Sequence, residues 1–135
     1  MALIKWDENF SVGVTEIDRE HQNLIMIIND LSNAMKQGAG KKVIGGILKE
    51  LTTYSITHFK HEEDYFDQYE YPESDIHKQE HAFYREKISE FEDDFKNGRL
   101  ALSIEVIYFL SDWWASHITI TDKKYSDFFH AKGLN

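Results

Sequence analysis

Apolar residues recur at helical spacing over four long stretches of this chain. In the first, the stripe runs His21, Leu24, Ile28, Leu31 and Met35, and Asp18 ahead of it is a favoured N-cap residue. A helix is therefore predicted over 18–37, ending before Gly38-Ala39-Gly40. The second stripe, Ile44, Ile47, Leu51, Tyr54, His58 and Glu62, predicts a helix over 41–69. Tyr71-Pro72 breaks the pattern, and Ser74 can cap a third helix over 74–96 that carries His77, His81, Tyr84, Ile88, Phe91 and Phe95. After Asn97-Gly98 a fourth helix is predicted from about Ser103 to 120, with Ile107, Leu110, Trp114 and His117 inward and a short segment over 121–131 beyond it.

Helices of this length joined by short links pack as antiparallel neighbours. The predicted fold is all-α: an up-down-up-down four-helix bundle forming a single domain over 1–135. Residues 1–17, with Trp6, Phe10 and Val14, are predicted to lie over it as an N-terminal arm.

Composition agrees with a folded helical domain and narrows its partners. The chain is 41% hydrophobic and 14% aromatic, enough for a real core. One proline leaves the long stretches unbroken. The net charge of −9 argues against nucleic acid or an anionic membrane as partner, since both call for a basic surface. No secretory signal or long apolar run is present, so a cytoplasmic protein is expected. With no cysteine, disulfides and thiolate metal sites are excluded.

Five of the seven histidines, His21, His58, His77, His81 and His117, continue the inward stripes. One buried imidazole with a single hydrogen bond is ordinary core. Five in one small core cannot all be satisfied by carbonyls already used within helices. A metal centre satisfies them together. Spacing agrees, because His58 and Glu62, like His77 and His81, stand one helical turn apart and project side by side. In an antiparallel bundle all five fall towards one end, on four different helices. Imidazole with carboxylate suits iron, zinc, copper or nickel and excludes calcium and magnesium. Five imidazoles and two acids exceed the needs of one ion, so a two-metal centre is expected. No Glu lies three residues before any of these histidines, so the centre is not of the carboxylate-rich kind. His61, off the His58 stripe among charges, is left out as solvated, and His130, in the tail, is left unassigned. The run Glu92-Asp93-Asp94 reads as a solvated face.

One pair breaks the spacing rule. His117 and Asp122 are five apart and sit about 140° out of phase on a regular α-helix.

The order His21, His58-x3-Glu62, His77-x3-His81, His117-x4-Asp122 resembles the hemerythrin signature. The strings I-D-R-E-H-Q-N-L, H-F-K-H-E-E and W-W-A-S-H-I-T-I-T-D-K-K-Y add to the resemblance, which spans nearly the whole chain. It implies a non-haem di-iron centre. His77, His81 and His117 would bind one iron, and His21 and His58 the other. Glu62 and Asp122 would bridge them alongside an oxo or hydroxo group. For Asp122 to reach the metals with His117, the backbone between them must depart from α geometry. A π-type turn or a helix end re-capped by Thr121 would serve.

Two six-coordinate irons offer about twelve positions, and this ligand set fills about eleven. The vacancy falls on the iron with two histidines and suits a small diatomic ligand. The resemblance accordingly implies reversible O2 binding for storage, transport or delivery, without catalysis, in a pocket near Phe59, Trp113 and Ile118. An oxygen-consuming partner enzyme is compatible with delivery, and either a monomer or a homo-oligomer is allowed. Oxygen sensing through a partner, or a di-iron peroxidase or nitric oxide scavenger, are the alternatives.

Overall fold

The computed structural model describes residues 3–98 and 104–135. Among these, the helices are α1 (Thr15–Lys36), α2 (Lys41–Tyr69), α3 (Ser74–Lys96), α4 (Ile104–Ser116) and α5 (Lys123–Ala131). A 3₁₀ turn at Glu8–Phe10 precedes them, and a π turn at His117–Asp122 joins α4 to α5. The fold is all-α, with α1 to α4 forming the bundle. No helix among the described residues is long and apolar enough to cross a membrane.

Helix α1 starts earlier than its cap signal suggests. Val14 is the extended N-cap residue, and Asp18 lies inside the first turns. The Asp18 carboxylate reaches back to the arm instead. It accepts from the Val12 amide at 2.8 Å and the Ser11 hydroxyl at 2.6 Å, near the positive end of the helix dipole. Ser74 likewise does not cap α3; Glu73 holds that position without a side-chain cap bond. The start expected near Ser103 lies outside the described residues.

The second stripe is turned by about one residue from expectation. Leu48, Leu51, Ser55, His58, Phe59, Glu62 and Phe66 are buried along α2, while Ile44, Ile47 and Tyr54 are only partly covered. A helix packed between two neighbours buries a wide face, and a single line of apolar positions locates its centre poorly.

Two apolar clusters result. The larger contains Leu24, Ile28, Leu31, Leu51, Phe59, Tyr84, Leu110, Trp114 and Ile118. The smaller contains Val12, Val14, Ile17, Phe66, Tyr71, Tyr125 and Phe129. Along α1 the order is Ile17, His21, Leu24; along the last rod it is Ile118, Asp122, Tyr125. The histidines and acids thus form a polar layer between two dry ones.

The arm is pinned at both ends. Ile4 and the Asn29 amide exchange two hydrogen bonds, at 2.9 and 2.8 Å. At the other end the Ser126 hydroxyl donates to the Val12 carbonyl at 2.7 Å and His130 Nε2 to that of Gly13 at 2.8 Å. Gly13 has φ +74°, and a Cβ there would lie 2.5 Å from the His130 ring. Gly13→Ala is expected to lower stability by about 1–3 kcal/mol, read from chemical unfolding, through left-handed strain and a displaced His130.

Candidate metal centre

Seven side chains from α1, α2, α3 and the π turn that follows α4 converge in the polar layer. His21, His58, Glu62, His77, His81, His117 and Asp122 are each at most 2% exposed. Their donor atoms form two overlapping sets. One is His77, His81 and His117 with Glu62 and Asp122; the other is His21 and His58 with the same two acids. The acids therefore lie between a group of three imidazoles and a group of two.

Distances define each half. Asp122 Oδ1 stands 2.9 Å from His77 Nε2 and 3.2 Å from His117 Nε2, while Oδ2 is 3.0 Å from His21 Nε2. Glu62 Oε1 lies 3.2 Å from His81 Nε2 and 3.3 Å from His58 Nε2. Both carboxylates thus face both halves. Asp122 attains this through the π turn, whose wider winding carries it round towards His117. Thr119 braces the turn by donating to the Ala115 carbonyl at 2.7 Å. Of the two backbone solutions open in the sequence, the chain adopts the π turn, with no side-chain cap at Thr121.

The outward nitrogens of three imidazoles are held by carboxylates. His58 Nδ1 donates to Glu20 at 2.6 Å, His81 Nδ1 to Glu63 at 2.7 Å, and His117 Nδ1 to Glu80 at 3.1 Å. These bonds fix the inward Nε2 atoms as lone-pair carriers in the neutral rings. Yet His81 and His117 bring Nε2 to within 3.2 Å of each other. Lone pairs from imidazoles and carboxylates thus crowd a common volume. His77 Nε2, Glu62 Oε1 and both Asp122 oxygens have no aligned hydrogen-bond partner, despite these close approaches. Acceptors facing acceptors in a buried space demand cations, and the donor set fits two metal ions.

In the metal-free chain, protons must do that work. Burial lowers the His58 pKa, but the charges of Glu62 and hydrogen bonds from Glu20 and Glu62 outweigh it and carry it to about 10. His117, likewise lowered by burial, rises to about 9 beside Asp122 and Glu80. Burial and mutual repulsion raise Glu62, and burial raises Asp122, yet the surrounding imidazoles hold both well below the usual carboxylate range.

Aromatic rings line the cluster. Phe59 is fully buried and stacks on His81, with centroids 3.9 Å apart and planes 14° apart. Ile118 is fully buried beside it in the larger cluster. Trp113 stacks on His117 at 4.4 Å and 13°, but is only partly buried and lines a surface groove with Phe109 and Ile120. Trp114 is the fully enclosed indole, 6.0 Å from both His58 and His117. Both tryptophans touch the site; the inner wall is Trp114.

Sequence reasoning missed Glu20, Glu63, Glu80, Trp114 as a site residue, and Tyr125. The Tyr125 hydroxyl donates a very short hydrogen bond to Glu62 Oε2, and its ring stacks 5.7 Å from His77. Its local signal is a place one turn after Asp122. Tyr125→Phe is expected to cost about 1–3 kcal/mol in the metal-free chain, by leaving a buried carboxylate without its donor. Urea unfolding measures it. Of the two histidines set aside, His130 bonds the arm, and His61 is 43% exposed with Nδ1 2.7 Å from Glu20.

A helical bundle enclosing a buried imidazole–carboxylate cluster defines a class of cation-binding bundles. Within it, residues 12–128 match the family model described as the hemerythrin HHE cation binding domain. A bacteriohemerythrin of Pseudomonas aeruginosa is 31% identical over 127 residues, covering 94% of this chain and 82% of that protein. A hemerythrin-like protein of Naegleria gruberi is 32% identical over 123 residues, covering 89% and 88%. A crystal structure of wild-type hemerythrin superposes with a TM-score of 0.89 at 28% identity, covering 93% of this chain and 97% of that one. The chain belongs to the hemerythrin family.

Proposed function

We propose that this protein reversibly binds O2 at a centre of two iron ions, as a non-catalytic carrier or store. His77, His81 and His117 would hold one iron and His21 and His58 the other, with Glu62 and Asp122 available to both. The observation that carries this reading is the grouping of three and two imidazoles on either side of two shared carboxylates. Family membership supports it independently. With two imidazoles instead of three, the His21 and His58 side would leave room for a diatomic ligand on an ion held there. Bound iron would supply reversible electron transfer to O2.

The chain's own residues make release possible. Phe59 and Trp114, each with its ring centroid 6.0 Å from that of His58, wall its side with apolar atoms, and Leu24 and Ile118 are sealed in the same cluster. Such a wall withholds water and protons from anything bound there, which keeps electron exchange reversible. Glu20 and Glu80 fix the orientation of His58 and His117 from outside. Tyr125 holds Glu62 in its bridging pose.

The test is spectroscopic. Ferrous protein prepared without air is exposed to O2 and then to vacuum, through repeated cycles. Recovery of the starting spectrum over many cycles is expected. Conversion to a permanently oxidised form within the first few would replace the carrier with a redox enzyme. A cytoplasmic setting and delivery to an oxygen-consuming enzyme accord with this reading.

A further inference from the structure

The buried cluster poses a problem of access. Its seven side chains are at most 2% exposed, and a hydrated dication cannot cross the apolar layers on either side. Metal must enter through a group that can strip its water stepwise.

The carboxylates behind the histidines are the outermost polar atoms connected to the cluster, and they differ. Glu63 has Arg85 3.5 Å away, so an approaching cation meets a guanidinium. Glu80 shares its oxygens with Thr121 and has no second acid or imidazole. Glu20 is built otherwise. Its Oε1 takes His58 Nδ1 at 2.6 Å and its Oε2 takes His61 Nδ1 at 2.7 Å. Glu16, one turn before it on α1, brings a second carboxylate to the same point. Among the described residues, Glu16, Glu20 and His61 are the one group outside the buried cluster whose metal-ligating atoms all lie within 4.8 Å of one another.

We propose that Glu16, Glu20 and His61 form an outer site for a divalent transition-metal ion, through which metal passes to the buried centre by way of His58. This rests on the buried cluster being the metal centre. Two carboxylates with one imidazole suit Fe2+, Co2+ and Zn2+ alike. The exposed imidazole, at 43%, lets an ion keep part of its water shell while the two acids neutralise its charge. Glu20, 12% exposed, links the outer group to the buried one, with one oxygen on His61 and the other on His58. Tyr65 holds Glu16 in place by a 2.9 Å hydrogen bond. The outer site binds weakly and fills first; the inner one binds tightly and fills last.

Cobalt(II) uptake by the metal-free chain tests this, followed by its visible absorption at sub-stoichiometric metal. His61→Ala and Glu16→Gln are expected to reach the same final content as the parent, about tenfold more slowly. His130→Ala, which removes an exposed histidine elsewhere, is expected to load at the parental rate. Equilibrium dialysis of the filled protein against zinc is expected to show one further weakly held ion, absent in His61→Ala. Loading of His61→Ala at the parental rate, or a filled parent that takes up no further ion, overturns the outer site. A parent that never fills its buried cluster overturns the proposed function instead.

Discussion

His77→Ala is expected to reduce iron content from two ions per chain to one or fewer, and to abolish the O2-dependent spectral change. His77 Nε2 is 2.9 Å from the Asp122 oxygen that faces its half of the centre, and it has no aligned hydrogen-bond partner. Under the proposed assignment, removing it would leave one ion with two imidazoles and Asp122 Oδ1 less well balanced inside a dry layer. A ligand lost outright costs more than the roughly 10–100-fold in affinity that removal of a supporting residue costs. Metal analysis after dialysis reads the result, and His117→Ala should behave in the same way. His130→Ala, far from the layer, should keep both ions. A His77→Ala chain that still held two irons would falsify the ligand assignment.

The second large effect is on stability. Metal bound only by the folded state stabilises it by about 4 kcal/mol at a thousandfold excess over the dissociation constant. For a domain of this size that corresponds to a rise in Tm of at least about 10–15 °C. Chelation should therefore lower the melting temperature by that much, because ions held by these side chains would tie α1, α2, α3 and the π turn together. The gap depends on pH, and its sign follows from the protons displaced. His58 and His117 titrate near about 10 and about 9 in the metal-free chain, above the ordinary 6.5. Their contribution to metal-free stability is complete below pH 6.5 and fades as pH rises through 9 to 10. Glu62 and Asp122, held low, contribute above the ordinary carboxylate range and lose that contribution as pH falls through their depressed values. Metal binding expels the two imidazole protons, so affinity strengthens with pH below 9. The difference in Tm between loaded and stripped protein should widen from pH 6 to pH 8.5, and loading at pH 7 in weak buffer should acidify the solution by about two protons per chain. A gap that narrowed over that range would exclude proton displacement.

Much of this was legible along the chain because the chemistry is periodic. His58 with Glu62 and His77 with His81 repeat at one helical turn, so local spacing alone aligned them. The bounds of α2 and α3 were readable because Gly40 and Tyr71-Pro72 interrupt the pattern. The mismatch between His117 and Asp122 even located the π turn, though a re-capped helix end explained it equally well. What stayed hidden depends on partners far away in sequence. Glu20 meets His58 across 38 positions, Glu80 meets His117 across 37, and Tyr125 meets Glu62 across 63. In a chain with 24 acidic residues nothing local marks Glu20 or Glu80 out. Trp113 and Trp114 differ by one step of the helix. Only the packing of the rod against α2 and α3 decides which indole is enclosed. The start of α1 was displaced because Asp18 serves the arm, a tertiary contact that no cap rule anticipates.

The π turn also ties the far end of the protein to its centre. Trp114, Ile118, Asp122, Tyr125 and Phe129 are all sealed from solvent along one rod. The stretch between His117 and Asp122 sets the rotational phase of everything after it. Shortening it by a single amino acid would leave a straight and perfectly respectable helix, yet swing its last two turns by about 100°. Tyr125 and Phe129 would then point into water, and the arm would lose the surface on which Ser126 and His130 clamp it. A change in length of one residue would thus unseat a carboxylate, an aromatic plug and an N-terminal strap together, so substitutions are tolerated in this stretch far more readily than deletions.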